Sequence, residues 1–541
     1  MRSVRSAAVS GWSLGLVALA ALAAPVGGCG SSKSAGYSAF DGGTTGDDAS
    51  VESGALTCPK GQQQCGAKCV DTTTDPQHCG SCGSTCEGGT CCSSTCVLDT
   101  ASCSFVVTGV NPTEGNQNGG DWIKLTGNGF AAGMAVMIGD GVAPALVLDP
   151  KDAIVLTPPG KVGTYDISIA SGPQKSVLSQ VFQYNAGSVQ LPWAEKPMKF
   201  VRGEDPGLAV LQDGRVLIAG GTTVPDSAPD ALASAEIYTR STDTVASAPG
   251  SMSSPRIHNA AITLLDGKVL VIGGPGWDAT LGTPATSADL FDATSGTFAP
   301  TAHPLTSARA GIRAMMASDG RVVITSGGSA TADLYDPLTD TFTQIPLLAT
   351  HTWGFIVRLR DGRVLLGGGD GGVTACEIFD PSKSKFIMAG PLNQGRSMLT
   401  AHTLPDGRVM VLGGSSMSAG GVTVPLQSIE LYDPKADKWT VAPYKLSTGR
   451  TWHAGALVRD GTVLAMGGYN VDGKCTPTTS VDQVDPVNGT VQPFGTLPHA
   501  NTEWTAVTLQ DGSVLGVGGG ACGTPLALPS LDFLPGKPTG Q

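Results

Sequence analysis

Seven copies of one short phrase run through the chain from Asp213 onward. They are Asp213-Gly-Arg-Val-Leu-Ile-Ala-Gly-Gly221, Asp266-Gly-Lys-Val-Leu-Val-Ile-Gly-Gly274, Asp319-Gly-Arg-Val-Val-Ile-Thr-Ser-Gly-Gly328, Asp361-Gly-Arg-Val-Leu-Leu-Gly-Gly-Gly369, Asp406-Gly-Arg-Val-Met-Val-Leu-Gly-Gly414, Asp460-Gly-Thr-Val-Leu-Ala-Met-Gly-Gly468 and Asp511-Gly-Ser-Val-Leu-Gly-Val-Gly-Gly519. Successive aspartates stand 53, 53, 42, 45, 54 and 51 positions apart. A unit of that length cannot bury a core alone, and short apolar strands repeated at this period build the blades of a β-propeller. The repeat dictates an all-β fold for most of the chain. It also sends the search for function to the places where the copies differ.

Each copy reads as four strands. In the second, the apolar stretch Ala260-Ala-Ile-Thr-Leu-Leu265 runs into Asp-Gly, a strong hairpin signal, and the Val-Leu-Val run is the next strand. Gly-Gly lets the backbone leave that strand at dihedral angles other residues resist. The third strand carries an acid ahead of apolar residues, as in Ala235-Glu-Ile-Tyr238, Ala288-Asp-Leu-Phe291, Ala332-Asp-Leu-Tyr335, Cys376-Glu-Ile-Phe379 and Ile429-Glu-Leu-Tyr432. Turns such as Asp433-Pro-Lys-Ala-Asp-Lys-Trp439 lead to the fourth. This pattern resembles the Kelch family, in the wide-blade form of galactose oxidase-like propellers, over residues 187–541. The seventh copy stops after Leu531-Asp-Phe-Leu534 without a fourth strand, while Val189-Gln-Leu-Pro-Trp-Ala-Glu-Lys-Pro-Met198 stands ahead of the first copy. Pairing that segment with the last blade closes a seven-bladed ring and leaves no open edge.

The residues ahead of the ring are modular. Within 105–186, Val110-Asn-Pro-Thr-Glu-Gly115, Gly119-Gly-Asp-Trp-Ile-Lys-Leu-Thr-Gly-Asn-Gly-Phe130 and Gly163-Thr-Tyr-Asp-Ile-Ser-Ile169 are similar to the immunoglobulin-like IPT/TIG domain. The alternation in Asp121-Trp-Ile-Lys-Leu-Thr126 suits a half-buried strand of such a sandwich. Some members of that family touch nucleic acid. A net charge of −12 and the lack of a basic stripe argue against that here and favour a spacer.

Ten cysteines crowd into 58–104: Cys58, Cys65, Cys69, Cys79, Cys82, Cys86, Cys91, Cys92, Cys96 and Cys103. In an exported chain this density implies a disulfide knot whose connectivity the spacing does not fix. The run from Cys69 to Cys86 resembles the Cys-rich repeats of the stigma-specific protein family and of bacterial surface proteins. Zinc is the rival for Cys79-x-x-Cys82, and an oxidising compartment disfavours it. Arg2 and Arg5, an apolar run from Trp12 to Ala24 and Val26-Gly-Gly-Cys29 read as an export signal over 1–28 that ends in a lipoprotein box. Cys29 becomes the acylated first residue, in the outer membrane, and this lipid is the only membrane contact expected. Residues 29–57, rich in Ser, Gly, Asp and Thr, read as a tether.

Two sets of residues in the ring are candidates for chemistry. Ten positions before the Asp-Gly stand Arg256, Arg309, His351, Arg396, Arg450 and Asn501, with Arg202 one step off. They form either an anion site around the channel or repeat-wide bridges to third-strand acids such as Glu236, Asp289, Asp333, Glu377 and Glu430. The second set breaks the repeat. Trp353, Trp452 and Trp504, with His258, His453 and Glu503, stand at the start of inner strands, and Trp277 lies in a variable loop of the same face. Aromatic rings beside polar groups make a carbohydrate platform or, alternatively, a plug for the channel. Cys475 and Cys522, in loops of neighbouring blades on that face, are expected to form a disulfide.

These features point to a non-catalytic surface lipoprotein that binds a glycan or a protein, with no metal and no cofactor. The alternative is a secreted carbohydrate-active enzyme. A galactose oxidase-like copper oxidase is the least favoured. Arg450-Thr-Trp-His453 matches that family's Arg-x-Tyr-His at the histidine, but Trp452 replaces the ligand tyrosine.

Overall fold

The middle strand of every blade is apolar on both sides, because in a ring of radial sheets both faces are packed against neighbours. The computed structural model describes residues 105–538 apart from 225–229, 275–285, 310, 326–327, 418–422, 472–474 and 521–529, together with parts of 58–97. The signal segment, Cys29, the tether, Trp277, Cys103 and Cys522 lie outside the described residues, as do the side chains of Cys92, Cys96 and Cys475. No helix among the described residues is long and apolar enough to cross a membrane.

Seven four-stranded antiparallel sheets form the ring among the described residues. Blade 1 runs outward from Gly207–Val210 through Val216–Ala219 and Leu232–Thr239 to Thr244–Arg256. Blades 2 to 6 repeat that order, with innermost strands Ala260–Thr263, Arg313–Met316, Phe355–Arg358, Thr400–Thr403 and Ala454–Leu457. In blade 7, Thr502–Thr508, Val514–Gly520 and Ser530–Leu534 supply three strands. The fourth is Ala194–Pro197, which pairs antiparallel with Ser530–Leu534 in the register Ala194↔Phe533 to Pro197↔Ser530. The ends of the ring are thus closed by hydrogen bonds between its first and last segments, as the truncated seventh copy requires. A second pair, Gly187–Val189 with Gly536–Pro538, reinforces the joint.

The Asp-Gly loops are one residue wider than a two-residue hairpin. In blade 1, Leu211 N–H bonds Arg215 C=O at 2.7 Å, Gly214 N–H bonds Leu211 C=O at 3.0 Å, and Gly214 takes φ +83°. This is a three-residue loop with glycine in its left-handed position. Asp213 is selected because its carboxylate accepts the Arg215 N–H at 3.1 Å.

Residues 106–185 form a sandwich of a four-stranded and a five-stranded sheet around Ile123, Leu125, Val136, Val155, Ile167 and Phe182. This sandwich is fastened to the Asp-Gly face of the ring. Asn118 Nδ2 donates to Leu457 C=O at 2.8 Å, Val142 N–H to Arg360 C=O at 2.9 Å, and Gln117 Nε2 to Arg459 C=O at 2.5 Å. Arg360 pairs with Asp140, and Trp122, Leu146 and Leu156 pack beside Leu264, Leu265 and Met316. In the cysteine-rich segment the bonds are Cys58–Cys69, Cys65–Cys82 and Cys79–Cys91, and Cys86 is also disulfide-bonded. Cys79 and Cys82 therefore belong to different disulfides, which leaves neither as a thiolate for zinc.

Candidate functional site at the channel mouth

The arginine ring is structural. Arg202 meets Glu236 at 2.8 Å, Arg256 meets Asp289 at 2.5 Å, Arg309 meets Asp333 at 2.5 Å, Arg396 meets Glu430 at 2.7 Å and Arg450 meets Asp482 at 3.0 Å. In blade 4 His351 Nε2 lies 3.1 Å from Glu377, and in blade 7 Asn501 Nδ2 donates to Asp532 at 2.8 Å. Both partners of every pair are buried. The same acids accept backbone N–H groups from the strap entering the blade, such as Asn393 and Gln394 on Glu430. Each bridge therefore pins an inter-blade crossover to the blade it feeds. The anion-site reading of this ring is withdrawn, since its charges are spent within the blades.

Two residues past each bridging side chain the backbone turns left-handed. Glu204, His258, Gly311, Trp353, Met398, Trp452 and Glu503 have φ of 55, 45, 58, 55, 54, 51 and 55°. Hydrogen bonds link these positions around the channel. His258 N–H bonds Glu204 C=O (3.1 Å), Met398 bonds Trp353 (2.8 Å), Trp452 bonds Met398 (3.2 Å), Glu503 bonds Trp452 (3.1 Å) and Asp205 bonds Glu503 (3.1 Å). A left-handed non-glycine residue costs roughly 1–2 kcal/mol, so this girdle persists only because the ring over-determines it.

Side chains of the girdle meet across the mouth. The centroids of His258 and Trp353 are 5.1 Å apart, those of Trp353 and Trp452 are 4.9 Å, and those of His258 and Trp452 are 5.8 Å. His258 Nδ1 lies 3.4 Å from Asp205 and Nε2 3.6 Å from Glu204. Burial alone would lower the His258 pKa, but Asp205, Glu503 and Glu204 outweigh it and hold the imidazole above its ordinary value. Arg313 stacks on Trp353 at 5.6 Å and reaches Asp205 at 4.0 Å. Trp452 hydrogen-bonds Tyr469, in the next loop outward.

Of the sequence-derived candidates, the structure thus unites His258, Trp353, Trp452 and Glu503. It separates Trp504 and His453 from them. Each follows a girdle residue by one position and so points into the wall. Trp504 is 3% exposed and packs with Ala454, Leu464 and Met466 of blade 6, while His453 Nε2 lies 3.1 Å from Thr400 Oγ1. Trp353 is also buried, at 7% exposed, which makes it part of a plug rather than an open platform; Trp452 keeps an accessible edge. Glu204, Asp205, Arg313 and Met398 were not anticipated. Reading two residues on from the bridging position would have found Glu204 and Met398.

Beneath the plug lies a cavity of about 400 Å³ lined by Leu208, Ile262, Met315, Ile356, Thr400 and His402, among others. Burial pulls the His402 imidazole down to about 4, and burial with the Arg450 charge holds His453 well below its ordinary value.

Residues 106–184 match the IPT/TIG domain and residues 399–445 the Kelch motif. The chain is 27% identical over 120 residues to beta-scruin of Limulus polyphemus, covering 20% of this chain and 13% of that protein. It is 34% identical over 105 residues to Kelch-like protein 26 of Mus musculus, covering 19% of this chain and 16% of that protein. The chain thus spans less than a fifth of the length of either relative. A fungal alcohol oxidase of the AA5 family, solved in complex with copper, superposes with a TM-score of 0.51 at 16% identity, over 65% of this chain and 77% of that one. At that identity the likeness shows the fold alone.

The residues here do not suit copper. Trp452 offers no ligating oxygen where the resemblance would place a tyrosine, and His453 is turned into the wall against Thr400. Among the described residues the one grouping of three or more metal-type donors is Cys79, Cys86 and Cys91, all in disulfides.

Proposed function

We propose that this chain is an exported, non-catalytic binding protein. Cys29 carries its lipid anchor, residues 29–57 tether it, and the propeller offers its channel-mouth face to a glycan or protein at the cell surface. The observation that carries this reading is the seat of the IPT/TIG domain. Its contacts with the ring fall on the Asp-Gly side, at Arg360, Leu457 and Arg459, so that face is already occupied. The opposite face holds the loops that differ between blades, which is where a rigid scaffold carries recognition. There the hairpin Ser415–Met417 with Thr423–Pro425 presents Met417, 53% exposed, and Val424, 43% exposed.

A secreted carbohydrate-active enzyme is the second reading, favoured by the convergence of Glu204, Asp205 and Glu503 on one mouth. Glycoside hydrolysis needs space for a sugar between two carboxylates, and here His258 lies against both Glu204 and Asp205 and packs on Trp353. The test is a glycan array and a surface-protein capture with the full chain, followed by Trp452→Ala. Loss of about thirtyfold in affinity is expected from removing an aromatic anchor. Unchanged binding in the folded variant would place the partner elsewhere, and cleavage of an array hit that is lost in Glu503→Gln would replace this reading with the enzyme.

A further inference from the structure

A single histidine is the hub of the plug, and both nitrogens of its ring face acids. His258 Nδ1 lies 3.4 Å from an Asp205 carboxylate oxygen, and Nε2 lies 3.6 Å from Glu204. An ionised carboxylate only accepts hydrogen bonds, so both ring nitrogens are matched at once only when each carries a proton. The side chain is 5% exposed, with Trp353 edge-on against it and Trp452 tilted over it. Of the seven girdle positions, only His258 can supply a positive charge.

The charged groups around this imidazole come from separate elements. Glu204 and Asp205 lie on the strap that enters blade 1, and Glu503 lies on the innermost strand of blade 7. Arg313, on the innermost strand of blade 3, reaches Asp205 at 4.0 Å and stacks on Trp353. Tyr469 stands beside Trp452, and burial with the Glu503 charge raises its phenol above 10, so it stays neutral at physiological pH. With His258 charged, three carboxylates face two cations. Once it loses its proton, Arg313 is the cation left among these groups, in surroundings where charges act strongly on one another. Burial lowers the His258 pKa, and Asp205, Glu503 and Glu204 together raise it by more, to above 6.5. A cationic group whose pKa is raised on folding stabilises the fold fully below its unfolded value and loses that effect as the pH climbs through the raised one. The hold of His258 is therefore full in mildly acidic solution and falls away above pH 6.5.

The plug also roofs the channel. Asp205, Arg313, Met398 and Trp452 line the same cavity of about 400 Å³ that runs down to His402. His258, Trp353 and Trp452 have φ of 45, 55 and 51°, a conformation that a non-glycine residue keeps only where its surroundings impose it. We propose that the plug is a proton-operated lid: imidazolium at His258 holds the acids and the two indoles over the channel, and the neutral imidazole releases them. Release opens the cavity to solvent and frees the Trp452 ring. Control of partner binding by this lid rests on the mouth being the face that meets a partner; the movement of the lid does not.

The test follows the two indoles in the full chain labelled with 5-fluorotryptophan, in the absence of any ligand. Trp353→Phe and Trp452→Phe assign the two fluorine resonances. Between about pH 5.5 and about 9.5 both should shift together with one midpoint above the ordinary histidine value. Above that midpoint the Trp452 signal should broaden more steeply with a soluble nitroxide, as an exposed ring does. Glu503→Gln removes one acid and should lower the midpoint by roughly one unit. His258→Gln cannot carry the charge and should give the released spectrum at every pH. Resonances that do not titrate in this range, a His258→Gln chain that titrates like the parent, or a midpoint unmoved in Glu503→Gln overturns the proposal. Shifts without a gain in nitroxide broadening overturn the opening. If His258→Gln does not fold, the Glu503→Gln midpoint decides alone. Equal affinity for an array hit at both ends of the range, with the lid titrating as stated, supports the lid and counts against the mouth as the binding face.

Discussion

A guanidinium taken out of water is tolerable only with a partner, and five of the seven blades apply that rule with an arginine–acid bridge. Removing one side of such a pair leaves the other charge stranded. Arg396→Met should therefore cost about 3–5 kcal/mol in denaturant unfolding, because Glu430 keeps its charge with no counterion. Arg408→Met, which breaks the half-exposed pair with Asp406, should cost under about 1 kcal/mol. Comparable losses in both variants would show that the ring pairs do not hold the blades. Most of this was legible in the sequence, since an arginine at a fixed distance from Asp-Gly recurs with an acid on the third strand. The last two pairs were harder. Gln483 interrupts the acid-apolar phrase after Asp482, and Asn501 carries no charge to betray its bond to Asp532. The mouth was only half legible. Adjacent residues such as Trp452 and His453, or Glu503 and Trp504, occupy one level in the sequence, yet a left-handed residue sends the first into the channel and the next into the wall.

At the scale of elements, the strand count and the closure of the ring were readable because both follow from the hairpin signals and from one missing strand. The Gly-Gly pairs were read as escape points from the second strand, and the structure supplies the reason. Gly467 has φ +62°, and a Cβ there would lie 2.6 Å from the Asn501 carbonyl oxygen. The glycine therefore allows the crossover of blade 7 to lie directly on the end of blade 6. Gly467→Ala should destabilise the chain by more than the roughly 1 kcal/mol of a left-handed alanine alone, because the Asn501 strap must also shift. Chemical denaturation of the variant measures it, and a loss no greater than that of Ala at Gly371, where a Cβ meets nothing within 4 Å, would mean that the crossover is not tightly held.

The whole molecule couples its sandwich to its propeller through a junction that carries a buried acid. Asp121 accepts the Asn116 N–H at 2.5 Å beside the bonds that Gln117 and Asn118 make to the ring. Burial raises its pKa to about 6, against the lowering effects of that hydrogen bond and of the Arg459 charge. A carboxyl whose pKa is raised on folding contributes stability below its unfolded value of 3.8 and loses it as the pH climbs through about 6. The shift corresponds to about 3 kcal/mol at most. Because the polar bonds and the packing of Trp122, Leu146 and Leu156 join the two modules, the loss should be felt by both. Calorimetry should show the sandwich and ring melting in one transition near pH 4. At neutral pH the sandwich should separate as an earlier transition, or the joint melting temperature should fall. Asp121→Asn keeps an acceptor for the Asn116 N–H but cannot ionise, so it should flatten this dependence and melt higher than the parent at neutral pH. If parent and variant follow the same curve across that window, Asp121 is solvated in the native state and the junction is looser than its contacts imply.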